Sequence, residues 1–295
     1  MPQKKIHRRE FIAGGLGAGT MALGLGLGMG PASIQAKESA VTPIEFPLPQ
    51  PEVLLDVDAV RQTAYDRYFE GGCMYGAAAS LVEAFRTACR SDGAGGGYTD
   101  WDLIPTGMFK YGSGGVAGWG TICGILNGAA AVLAMADYNG LIGQVIGWYT
   151  IQSFPLSTCE GYTAASGFEA LADIDVPAHT ISDSPLCHIS ISKFCEAAGI
   201  TLKDSSPEGL NYKQDRCSKI CADTAALVAQ LINGELDADS VYATPESYAS
   251  CLTCHAGIKD QVGKMNCLGC HSASDVTLVG RTHGQELPSS KGKKR

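Results

Sequence analysis

The stretch Cys217-Ser218-Lys219-Ile220-Cys221-Ala222-Asp223-Thr224-Ala225-Ala226-Leu227-Val228-Ala229-Gln230-Leu231-Ile232 decides the fold class. Its apolar positions Cys217, Ile220, Cys221, Ala225, Leu227, Val228 and Leu231 recur at helical spacing. Cys217 and Cys221 are four residues apart and share one face of that helix. The same period runs from Cys73 to Cys89 through Met74, Ala78, Leu81, Val82, Phe85 and Ala88. Gly118 to Ala136 reads as a small-residue helix suited to close packing, and Ile142 to Phe154 as another apolar helix. The pattern predicts a mainly α protein: a helical, cysteine-rich body followed by a small, loop-rich C-terminal segment.

Composition agrees with a packed body. Hydrophobic residues make up 45% of the 295, enough to bury a sizeable core and exclude wholesale disorder. The formal charge of −8 argues against a nucleic-acid-binding body. The glycine run Tyr111-Gly112-Ser113-Gly114-Gly115-Val116-Ala117-Gly118 has no predicted strand before it, and Ala117 breaks the dinucleotide-loop pattern. The carboxylates Asp173 and Asp175 read as a solvated loop, not a hydrolytic pair.

At the N-terminus, His7-Arg8-Arg9-Glu10-Phe11-Ile12 resembles a twin-arginine export motif, and Phe11 to Ala36 carries no charge. Residues 1–36 are therefore expected to be a cleaved signal peptide that delivers the chain to the periplasm. No stable membrane span is expected after cleavage. Residues 37–56 read as an extended N-terminal segment, 57–245 as the helical cysteine-rich module and 246–295 as the C-terminal segment with a basic tail.

That last segment carries the most specific chemistry. Cys251-Leu252-Thr253-Cys254-His255 and Cys267-Leu268-Gly269-Cys270-His271 are both C-x-x-C-H, the c-type haem attachment motif. In each, two thiols form thioethers to the vinyl groups of one porphyrin, and the following histidine ligates iron from below. The thioether residues are thus Cys251, Cys254, Cys267 and Cys270, and the proximal ligands His255 and His271. C-x2-C-x12-C-x2-C is also a zinc-ribbon spacing, but zinc would not need histidine after each pair. Two haems so close in sequence are expected to be near neighbours. For the distal positions the candidates are His188 and His283, with His179 as alternate. His188 borders the run Ile189-Ser190-Ile191 and is expected in a packed region.

Taken together, Cys73, Gly120-Thr121-Ile122-Cys123-Gly124 with Gly128, Cys187 and Arg216-Cys217 look like a redox-active helical module. Its fusion to two C-x-x-C-H motifs behind an export signal resembles the split-Soret cytochrome c family across essentially the whole mature chain. The resemblance implies a homodimer, two haems per chain with histidine ligation, and an iron–sulfur cluster in the body, of [2Fe–2S] type. A cluster needs three or four converging thiolates. Cys123, Cys187, Cys217 and Cys221 are the first choice, with Cys73, Cys89, Cys159 and Cys195 as alternates; some of these are expected to be buried thiols or a disulfide.

The function expected is electron transfer in the periplasm. With histidine on both faces, a haem has no vacant site for substrate. The acidic body would steer basic redox proteins as donor and acceptor. The alternatives are a reductase using the cluster or an open haem site, and a zinc-stabilised structural protein.

Overall fold

A computed structural model describes residues 43–51, 53–92, 97–156, 178–205, 211–255 and 264–266. The signal segment 1–36, Cys159, Cys267, Cys270, His271 and His283 lie outside these.

The first helix, α1 (Val57–Gly71), starts where the Asp56 carboxylate accepts the Ala59 N–H at 3.0 Å. It stops at Gly72, whose φ of +83° breaks the chain direction. Helix α2 (Cys73–Asp92) begins immediately after that break. Its apolar stripe, Met74, Ala77, Ala78, Leu81, Val82, Phe85 and Ala88, is buried throughout. Phe85 stacks on Trp101 with ring centroids 4.4 Å apart. Two short 3-10 turns, Asp100–Leu103 and Thr106–Gly112, lead into a glycine-rich loop.

Helix α3 (Gly124–Met135) packs on α2, and α4 (Asn139–Ile151) packs on α3. A two-stranded antiparallel ribbon follows, β1 (Ser153–Phe154) with β2 (Thr180–Ile181), Ser153 facing Ile181. Helix α5 (Cys187–Ala198) ends at Gly199 in the left-handed conformation. Helix α6 (Tyr212–Ile232) is capped by the Asn211 side chain, which accepts from the Lys213 and Gln214 amides. It packs against both α1 and α2 and is buried on nearly every side. Helices α7 (Ala238–Val241) and α8 (Glu246–His255) are the last helices among the described residues.

Helices α2 and α6 follow the predicted stripes. The small-residue helix begins six residues later than predicted, because Gly118 and Gly120 adopt φ of +80° and +68° and hold the chain in a loop. The helix predicted over Ile142 to Phe154 is shifted toward the N-terminus: it starts at Asn139, and Ser153 and Phe154 pair as a strand. The run Ile189-Ser190-Ile191 belongs to α5, so its alternation is incidental. Ser190 faces the interior while His188 is exposed, contrary to the packed setting expected for it. Among the described residues, no helix is long and apolar enough to cross a membrane.

Candidate metal centre

Four thiols reach one cavity from four helices. Cys73 is the first residue of α2, Cys123 is the N-cap of α3, Cys187 is the first residue of α5 and Cys217 lies in the second turn of α6. Backbone pairing fixes two of them side by side. The Cys123 N–H donates to Pro185 O at 2.8 Å, the Cys187 N–H to Thr121 O at 2.8 Å, and Ile122 bridges to Leu186. Glycine brings Cys73 close to Cys123. A Cβ on Gly124 would collide with the Gly112 carbonyl and stand 2.9 Å from the Cys73 Cβ, so only glycine lets α3 lie directly on the start of α2.

Cys73, Cys123, Cys187 and Cys217 line the cavity together with Tyr149, Ser190, Arg216 and three isoleucines. Its free volume is about 10 Å³, about the space of one water. Among the described residues, no three His, Cys, Asp or Glu side chains close on a single point as one bound ion would require. The thiols ring a space instead.

Helix termini and one arginine favour negative charge in that ring, and burial opposes it. Three of the four cysteines sit at helix N-termini, where the helix dipole stabilises negative charge. Arg216 supplies a buried positive charge. A hydrogen bond from Cys73 lowers Cys217 to about 6 against the opposing effect of burial, with Arg216 and Lys213 helping. The same bond, then burial, raises Cys73 well above its ordinary value. Burial pushes the Cys123 thiol up, and nearby Cys217 adds to it. Cys187 is pushed up to about 12, again first by burial.

Cys221, paired in sequence with Cys217, does not line the cavity. It lies one turn further along α6, fully buried, with its sulfur 3.8 Å from the Cys73 carbonyl oxygen. Burial raises its thiol well above the ordinary value. Cys89 and Cys195 are half-buried and also absent from the lining. The structure therefore groups Cys73 with the three other thiols and leaves Cys221 in the packing behind them. Spacing along one helix could not reveal this, because Cys73 enters from a different helix. Nothing local in the sequence marks Tyr149 or Ser190 as a cavity residue, and Arg216 shows there only as the neighbour of Cys217.

The first C-x-x-C-H closes helix α8, whose backbone sets positions 251, 254 and 255 along one face. Cys267, Cys270 and His271 lie outside the described residues, as does His283. Of the distal candidates, His188 is the exposed second residue of α5. His179 is also exposed, and its Nδ1 donates to the Pro155 carbonyl at 2.6 Å.

No protein-family model matches the sequence. The chain is 31% identical over 237 residues to the split-Soret cytochrome c of Desulfovibrio desulfuricans, covering 76% of this chain and 77% of that relative. The chain belongs to the split-Soret cytochrome c family. A solved structure, described as a novel iron centre in the split-Soret cytochrome c from the same organism, matches with a TM-score of 0.60 at 30% identity. The match covers 77% of this chain and 91% of that one. The mainly helical architecture is thus the split-Soret cytochrome c fold.

Proposed function

We propose that this split-Soret cytochrome c is a periplasmic electron carrier with two kinds of redox group, a haem pair and an iron centre in the thiol cavity. The observation that carries the second half is the ring of four thiols from four helices, three of them at helix N-termini, around one buried arginine. The relative whose structure is described by its iron centre supports the same reading. The donor set fits: thiolates are the ligands of iron–sulfur clusters, and a cluster of [2Fe–2S] type takes four. Cys73, Cys123, Cys187 and Cys217 would hold it. When bound, it would supply one-electron chemistry. The protein's own part is to bury the site, fix four ligands on rigid helix ends and hold a counter-charge beside them.

The haem pair rests on the two attachment motifs, with thioethers at Cys251, Cys254, Cys267 and Cys270 and proximal ligands His255 and His271. His188, His283 and His179 supply the distal candidates. His179 gains weight from its hydrogen bond, because donation from Nδ1 to a carbonyl leaves the Nε2 lone pair free for a metal. The haem pair, the homodimer and the twin-arginine route are implied by motif and family, and the acidic charge of the body suits basic redox partners.

An optical spectrum of the purified full-length protein, oxidised and dithionite-reduced, tests the haem half. Two haems per chain and a split reduced Soret band are expected, with no carbon monoxide adduct. Carbon monoxide binding would favour a reductase with an open haem site. Absence of haem in a host competent to attach it would overturn the proposal. Blocking twin-arginine transport should remove the holoprotein from the periplasm; undiminished holoprotein would reject that route.

A further inference from the structure

Arg216 is 1% exposed and sits in the cavity wall immediately before Cys217. Its Nη2 donates to Ser190 Oγ at 3.2 Å and to Thr180 Oγ1 at 3.3 Å. The guanidinium carbon lies 5.0 Å from the centre of the Phe194 ring. Its Nε has no hydrogen-bond partner among the described residues. Every partner named is neutral. Among the described residues no carboxylate reaches ion-pair distance of Arg216, and the nearest acidic residues on α6 are engaged elsewhere. Asp215 pairs with Lys219 at 2.9 Å, and Asp223 accepts the Leu156 amide at 3.3 Å.

This is an unusual state for an arginine. A guanidinium does not shed its proton, and a buried charge without a counter-ion is strongly unfavourable. Buried charges are therefore paired or serve a metal site. The groups that line the cavity with it include sulfurs, which carry negative charge once they ligate a metal. Ser190 holds it there: the same Oγ that accepts from Arg216 also accepts from the Tyr149 hydroxyl at 3.0 Å, and Tyr149 lines the cavity too.

We propose that Arg216 is the fixed counter-charge of the thiol cavity and sets the reduction potential of the iron centre held there. The inference rests on the reading of the cavity given above. A thiolate-held iron–sulfur centre gains one negative charge when it takes up an electron. A fixed positive charge in a water-excluded site stabilises that reduced form more than the oxidised one. Arg216 thus raises the potential without touching the iron. It acts as a positioning residue for charge, and Ser190 fixes where the charge sits.

The test is a potentiometric titration of the full-length holoprotein, following the iron centre by EPR and the haems optically in the same sample. R216Q should lower the potential of the centre so that its reduced-to-oxidised ratio at a fixed potential falls at least tenfold, about 59 mV for a one-electron couple. R216K, which keeps the charge, should fall by less. K193Q, which removes an exposed charge, should leave the centre unchanged. The haem potentials should not move in any variant. If R216Q takes up no iron, S190A decides: it keeps the charge but frees its position, and a smaller downward shift confined to the centre is expected. A loaded centre whose potential is indifferent to R216Q, or to S190A in that case, overturns the inference. Wild-type protein with no iron beyond its haem iron would overturn the reading of the cavity itself, and an iron-to-haem ratio distinguishes the two failures.

Discussion

In the C-terminal segment, Cys251, Cys254 and His255 lie within a single helical turn and a half, and their chemistry is complete in the local sequence. In the body, Cys73, Cys123, Cys187 and Cys217 come from four helices and meet only in the folded protein. The difference reflects what each group demands. Covalent haem attachment needs two thiols at a fixed separation along the chain, so spacing alone identifies it. A buried thiolate site needs convergence in space, a dry wall and a counter-charge, and these are properties of packing. The two regions should accordingly respond differently to substitution.

The largest expected effect separates Cys73 from Cys221. C73S should abolish the iron centre, whereas C221S should retain it with a less stable body, and both should keep the wild-type haem content. Iron and haem assays on purified protein check this. Loss of the centre in C221S with retention in C73S would restore the ligand set that helix spacing suggested. Conversely, C254S should lower haem content while leaving the centre intact.

Next in size is the buried pair Asp215–Lys219, whose side chains are 0% and 5% exposed. K219A leaves a buried carboxylate without its partner and should cost about 3–5 kcal/mol in denaturant unfolding. Burial raises the pKa of Asp215, with Lys219 opposing. A group raised in the folded state favours folding when protonated, and that contribution is lost as pH rises through its folded pKa. The K219A deficit should therefore shrink on acidification, by more than in a charge-neutral D215N/K219M double variant.

G124A should cost about 1–3 kcal/mol by overpacking, because the new methyl meets the Gly112 carbonyl and the Cys73 side chain. It should also weaken iron retention, since it forces α3 away from the start of α2. Smallest is E83Q, which breaks the half-exposed Arg67–Glu83 pair at 2.9 Å and should change stability by less than about 1 kcal/mol. Haem loss in any of these body variants would break the independence of the two regions.

What the sequence disclosed follows the same division. The stripes of α2 and α6 announced two buried helices because each packs most of its circumference or a continuous face in the core. Helix α5 was not legible, since its short apolar run also fits an alternating pattern and its exposed side carries His188. The late start of α3 depended on positive φ at Gly118 and Gly120, which a helical reading of small residues passes over. Three of the four cavity cysteines stood in the first choice; Cys73 stood among the alternates. Cys221 outranked it because four-residue spacing places it on the face of Cys217, and only the approach of α2 decides which sulfur lies beside the cavity. Arg216 was visible as a motif neighbour of Cys217, yet its burial was not.

The most direct measurement is total iron against covalently bound haem in one sample of purified full-length protein, with an EPR spectrum after dithionite reduction. A four-thiol iron centre predicts iron in excess of haem and a signal that belongs to no haem. Iron equal to haem, with no such signal, would contradict it.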